Sequence, residues 1–162
     1  MPMDGSDPTG SGVIAKSTQR RCFTLAEANR TLPLVQRIVS DVVRQFGDLA
    51  DMERRRATLL KQKRTEDVAL LDRRATSAVD SLNDLIAELS SIGCQLKDPQ
   101  AGLVDFPTVR EGREALLCWK DGEDRIAYWH ETYAGFSRRQ PVTTPGCVTL
   151  DLDRDADVGL LD

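Results

Sequence analysis

The strongest constraint on this chain is an apolar repeat. Val68, Leu71, Ala75, Ala78, Leu82, Leu85, Leu89 and Ile92 follow one another at alternating steps of three and four. That spacing lays an unbroken stripe along one side of a single α-helix and matches a heptad seam. Thr65 with Glu66 and Asp67 reads as a cap followed by acidic residues suited to the positive helix end, and Gly93 reads as the stop. An earlier stretch carries the same alternation at Val35, Val39, Val42, Phe46 and Leu49, extended backward by Leu32, Ala28 and Leu25. Two such helices joined only by "KQKRTE" run antiparallel, because so short a connection reaches no other arrangement. At about 1.5 Å per residue the hairpin is roughly 40–45 Å long. Its outer faces need a further partner, either a sheet or a second subunit.

The first helix starts in "CFTLAEANRTLP". Thr24 and Glu27 have the spacing of a capping box, with Phe23 and Ala28 as the hydrophobic staple around it. Pro33 lacks an N–H and clashes one turn back, so a break or kink after Thr31 is expected. Beyond Leu49, Glu53 and Arg56 fall where apolar residues are due, and the seam weakens there.

Past "KDPQAG" the period changes to that of strands: "GLVDFPTV", "EALLCWK" and "DRIAYWHE", separated by "REGR" and "DGE". An Asp-Gly pair between alternating apolar runs signals a hairpin. The expected fold is therefore α+β: a long, coiled-coil-like antiparallel helical hairpin (24–93) with a small three-stranded antiparallel sheet (102–131). Together they form one domain over 22–142, between a flexible leader (1–21) and a loosely ordered acidic tail (143–162). The Gly-, Ser- and Pro-rich leader has no apolar run, no stretch approaches a membrane span, and four scattered cysteines suit free thiols in a reducing cytoplasm. A net charge of −4 specifies no partner.

"CWKDGEDRIAYWHE" gathers both tryptophans, the single histidine and a cysteine in a chain that is 5% aromatic. With Asp121-Gly122 as a two-residue turn, Ala115, Leu117, Trp119, Ile126, Tyr128 and His130 share the face laid against the helices. Leu116, Cys118, Glu123, Arg125, Ala127, Trp129 and Glu131 then form one outward patch.

"LKDPQAGLVDFP", "LLCWKDGE", "IAYWHE", "GFSRRQP" and the opening "FTLAEANRTLP" resemble the motif series of an uncharacterised bacterial domain-of-unknown-function family (DUF2203-like), over about residues 22–142. The resemblance implies a small stand-alone bacterial protein. It brings no activity and no site residues.

The leading functional reading is a non-enzymatic module for self-association or protein contact, through the helical seam and a surface at Trp129, Arg125, Arg138 and Arg139. It rests on two apolar stripes without a recognisable catalytic motif. Two alternatives are drawn from the sheet. His130, Cys118, Glu123, Glu131 and Asp105 supply ligand types for zinc or another divalent metal, against a plainer reading with His130 hydrogen-bonded to backbone at a strand end and Asp105 paired with Arg125 or Lys97. Glu123, Glu131 or His130 could serve acid–base catalysis if desolvated, against a solvated salt bridge. A further alternative is RNA contact through Arg54, Arg55, Arg56, Lys61, Lys63 and Arg64 at the basic hairpin tip, where no aromatic is interleaved for stacking. Asp151, Asp153, Asp155 and Asp157 alternate as in a calcium loop but lack its glycine and following helix.

Overall fold

The computed structural model describes residues 21–143. The alternating aspartates, Cys147 and nearly all of the leader and tail lie outside the described residues. Helix α1 spans Leu25–Lys61 and opens on the capping box: Glu27 N–H donates to Thr24 Oγ1 and Thr24 N–H to Glu27 Oε2, each at 3.1 Å. Phe23 and Ala28 are both buried beside it. The expected break after Thr31 does not occur, and Pro33 sits inside a continuous helix. Ala28 and Leu32 before it, and Val35 after it, are all buried, so core packing holds the segment helical. The proline itself stands exposed, which confines the loss of one intrahelical bond to the solvent side.

Helix α2 spans Thr65–Ile92. Thr65 is its first residue rather than its cap; Arg64 holds the cap position without a side-chain cap bond and pairs with Asp67 at 2.6 Å. Gly93 closes the helix at φ 107°, a conformation that favours glycine. The stripe splits into two packed regions. Near the sheet, Leu82 and Leu89 join Val35, Val39 and Val42; at the tip, Leu59, Val68 and Leu71 form a small cluster with Met52. Between them, where Glu53 and Arg56 interrupt the seam, a groove of about 540 Å³ opens beside Ala75 and Val79. Arg56 bridges it to Asp72 at 2.7 Å.

The sheet has five strands in sequence order, not three: β1 Gln95–Asp98, β2 Leu103–Arg110, β3 Arg113–Lys120, β4 Tyr128–Glu131 and β5 Gln140–Pro141, every neighbouring pair antiparallel. The two unexpected strands are short edges; β1 is interrupted by an irregularity between Leu96 and Asp98, so neither shows an alternating pattern. Val104, Phe106, Leu117 and Trp119 point to the helices and complete the main core. Phe23 is stitched to the same strand: its N–H donates to Pro107 O and its carbonyl accepts from Thr108 Oγ1, both at 2.7 Å.

The β3–β4 register differs from the sequence expectation by three residues. Cys118 faces Tyr128, Leu117 faces Trp129 and Leu116 faces His130. The Asp-Gly turn does form locally, with Glu123 N–H donating to Lys120 O at 3.0 Å. The chain then leaves the ladder, because helix α1 captures it. Ile126 N–H donates to Asn29 Oδ1 at 2.9 Å, Asn29 Nδ2 donates to Ile126 O at 3.4 Å, and the Ile126 side chain is buried in the core. An odd shift reverses every β4 side chain. Ala115, Leu117 and Trp119 face the helices as expected, but Trp129 joins them, while His130 and Tyr128 turn to the other face.

Candidate functional site

Three adjacent strands each place one donor on the sheet face away from the helices. Asp105 on β2 lies directly opposite Cys118 on β3, and His130 on β4 is opposite Leu116, two residues along from Cys118 and so on the same face. Opposed residues share a face, so the three side chains converge. Asp105 is 1% exposed, Cys118 0% and His130 3%. One ligand atom from each lies within 4.8 Å of the others. His130 Nε2 sits 3.2 and 3.1 Å from the two Asp105 carboxylate oxygens, and its Nδ1 sits 2.8 Å from the Glu131 carbonyl oxygen.

The protons of this cluster follow from its donors and acceptors. A carbonyl only accepts, which assigns a proton to Nδ1. Nε2 of a neutral ring would then turn a lone pair toward a carboxylate. Two acceptors in contact require a cation between them, a proton or a metal ion. Burial, and next the Asp105 charge and a hydrogen bond to it, push the Cys118 thiol up to about 12, so in the metal-free protein it stays protonated.

Of the five sequence candidates for a metal, these three come together and two do not. Glu123 lies at the sheet margin in a forked ion pair with Arg139, both contacts at 2.7 Å, and also accepts from Lys120 N–H. Burial raises its pKa, but the Arg139 and Lys120 hydrogen bonds outweigh that and hold it below the usual carboxylate value. Arg139 also donates to Cys118 O and stacks over Tyr128 and Phe136, closing the connection after β4 against the donor-bearing face. Glu131, opposite Ala115, turns to the helix-facing side.

The single outward patch expected from the sequence does not form. Trp129 and Cys118 occupy opposite faces, Arg125 and Arg138 are exposed, and Arg139 is consumed by Glu123. Of the plainer reading, the backbone hydrogen bond of His130 is present, from Nδ1 to Glu131 O, whereas the pairing of Asp105 with Arg125 or Lys97 is replaced by His130 and Cys118. At the tip, Arg54, Arg56 and Arg64 pair with Asp51, Asp72 and Asp67, whereas Arg55, Lys61 and Lys63 form no ion pair among the described residues. Sequence reading also missed Arg110, which is buried against the Trp129 ring at 3.7 Å. The only signal for it was an arginine ending an apolar strand.

Fold and site together define an α+β protein in which a two-helix arm stands on a small antiparallel sheet that seals an oxygen–sulfur–nitrogen donor cluster. The chain belongs to the family described as an uncharacterized conserved protein (DUF2203), whose profile matches residues 21–142. No curated protein and no solved structure matches it. Among the described residues no helix is long and apolar enough to cross a membrane.

Proposed function

We propose that this protein binds one divalent transition metal, zinc by preference, through Asp105, Cys118 and His130. The observation that carries the reading is the convergence of three buried donors, with one ligand atom each from Asp105, Cys118 and His130 within 4.8 Å of the others. The His130 Nε2 contact with the carboxylate is one that a proton fills in the metal-free protein and a metal ion would fill in the loaded one. The Nδ1–H bond to Glu131 O is the outer contact that orients a metal-bound imidazole. Mixed carboxylate, thiolate and imidazole donors suit zinc, whose bonds of about 2.0–2.3 Å bring such atoms onto one ion with small side-chain rotations. Because all three ligands are sealed, the ion's part is to lock β2, β3 and β4 together as the base of the helical arm. Elemental analysis of the purified full chain tests this. Stoichiometric zinc in the wild type, lost in Cys118→Ser and His130→Ala, is the expected result; metal-free protein whose stability ignores both added zinc and chelator overturns it.

A second reading, self-association through the arm, is favoured by charge. Residues 54–74 carry eight basic and three acidic side chains, whereas the remaining arm, 31–53 and 75–92, carries two basic and seven acidic ones. The two portions thus have equal and opposite net charge. A second copy, laid antiparallel about a two-fold axis, sets each basic tip against the other's acidic mid-section and covers the groove at Leu49, Met52, Ala75 and Val79. Sedimentation equilibrium of a salt-sensitive dimer, abolished by Val79→Lys, supports it; a monomer at every salt concentration removes it. Nucleic acid co-purifying through Arg55, Lys61 and Lys63, and released by salt, would instead assign the tip to RNA.

A further inference from the structure

We infer that the cavity on the helix-facing side of β3 and β4, beside Arg110 and Trp129, binds a small carboxylate that also carries an ammonium group. Arg110 ends β2 and is 8% exposed. Its guanidinium lies 3.7 Å above the centre of the Trp129 ring, yet it makes no hydrogen bond and no ion pair among the described residues. One of its nitrogens, Nη1, is sealed without an acceptor, and so is the Trp129 indole nitrogen. A cavity of about 160 Å³ adjoins both residues.

A guanidinium has five N–H groups and cannot give up its charge, so burial without an acceptor is costly. Glu111, Glu114 and Glu131 all line the same cavity, but none of them pairs with it. The guanidinium held over the indole presents its donors in a rigid planar fork, which matches a planar, two-oxygen acceptor. Around Arg110 the three glutamates outnumber the one further arginine, Arg113, so the rest of the rim is net negative, which repels a dianion and attracts an ammonium group. A zwitterion with one carboxylate and one ammonium group, the chemistry of a free amino acid, satisfies both halves. The site shares no residue with Asp105, Cys118 and His130, and the inference stands without the metal.

The indole N–H resonances of the full chain in metal-stripped buffer give the test, because they separate the two tryptophans. Trp119 donates to Glu123 O at 2.8 Å and serves as the internal reference, and the Trp129 signal is identified by its loss in Trp129→Phe. Glycine is expected to shift the Trp129 signal saturably. Acetate should bind about fivefold more weakly, lacking the rim contacts, and inorganic phosphate more weakly still. Arg110→Met keeps the apolar bulk over the ring and should weaken glycine by about tenfold or more. The same variant should melt no lower than the wild type without ligand, and glycine should raise only the wild-type midpoint. Absence of a saturable Trp129 shift in the wild type, an undiminished shift in Arg110→Met, or phosphate binding more tightly than glycine each overturns the assignment.

Discussion

Asn29 and Ile126 lie 97 positions apart and exchange two hydrogen bonds, Ile126 N–H to Asn29 Oδ1 at 2.9 Å and Asn29 Nδ2 to Ile126 O at 3.4 Å. One side-chain amide on α1 thereby replaces the partner strand for that stretch of backbone. The consequence is the register of β4, and with it the face on which His130 stands. Asn29→Ala should lower stability by about 1–3 kcal/mol in urea denaturation. It should also speed amide exchange at Ile126 and across β4 more than in β2; uniform exchange throughout the sheet would show that the amide does not set the register.

Pro33→Ala should stabilise the protein, by up to about 3 kcal/mol, because it restores an intrahelical donor at an exposed position and removes the ring clash. Denaturant midpoints at an unchanged slope are the measurement. A destabilised variant would mean that the proline shapes the helix for its packing against the sheet.

Glu123 titrates below its ordinary value in the folded protein, burial being outweighed by the hydrogen bonds from Arg139 and Lys120. A depressed folded pKa gives stability that is fully present above the unfolded value of 4.5 and fades as pH falls through the folded one. Arg139→Met should cost about 1.5–3 kcal/mol at neutral pH, and the variant's stability should vary less than the wild type's below pH 4.5. Parallel pH profiles for the two proteins would contradict the ion pair's role.

Zinc affinity should rise about tenfold per pH unit or more through neutrality, since a thiol pushed up to about 12 surrenders its proton to become a ligand. Competition with a calibrated chelator at several pH values measures this. Cys118→Ser should remove the thiol's share of the slope, about tenfold per pH unit, as well as most of the affinity. Asp105→Asn is informative in a different way: its amide N–H can donate to His130 Nε2, so the fold should survive without any cation at that contact.

How far the sequence speaks depends on how local the determinant is. The capping box at Thr24, the glycine stop at Gly93 and the weak seam at Glu53 and Arg56 are all local, and all reappear in the structure. The turn at Asp121-Gly122 was equally legible, but the strand after it was not, because its register depends on Asn29, which no periodicity ties to residue 126. Three of the five metal-ligand candidates meet, since Asp105 and Cys118 need only the β2–β3 pairing. The exclusion of Glu123 required knowing that Arg139 folds back over the sheet margin. The β1 and β5 edges carry too few residues for any pattern to show. Pro33 stays helical because burial of Leu32 and Val35 on either side of it, a tertiary effect, overrides its local propensity.

Complete enclosure of Cys118 has a kinetic corollary. An alkylating reagent reaches that sulfur only in molecules whose strands have parted, so the labelling rate clocks how often the sheet breathes. Any ligand that closes the cluster would slow the clock in proportion to its occupancy.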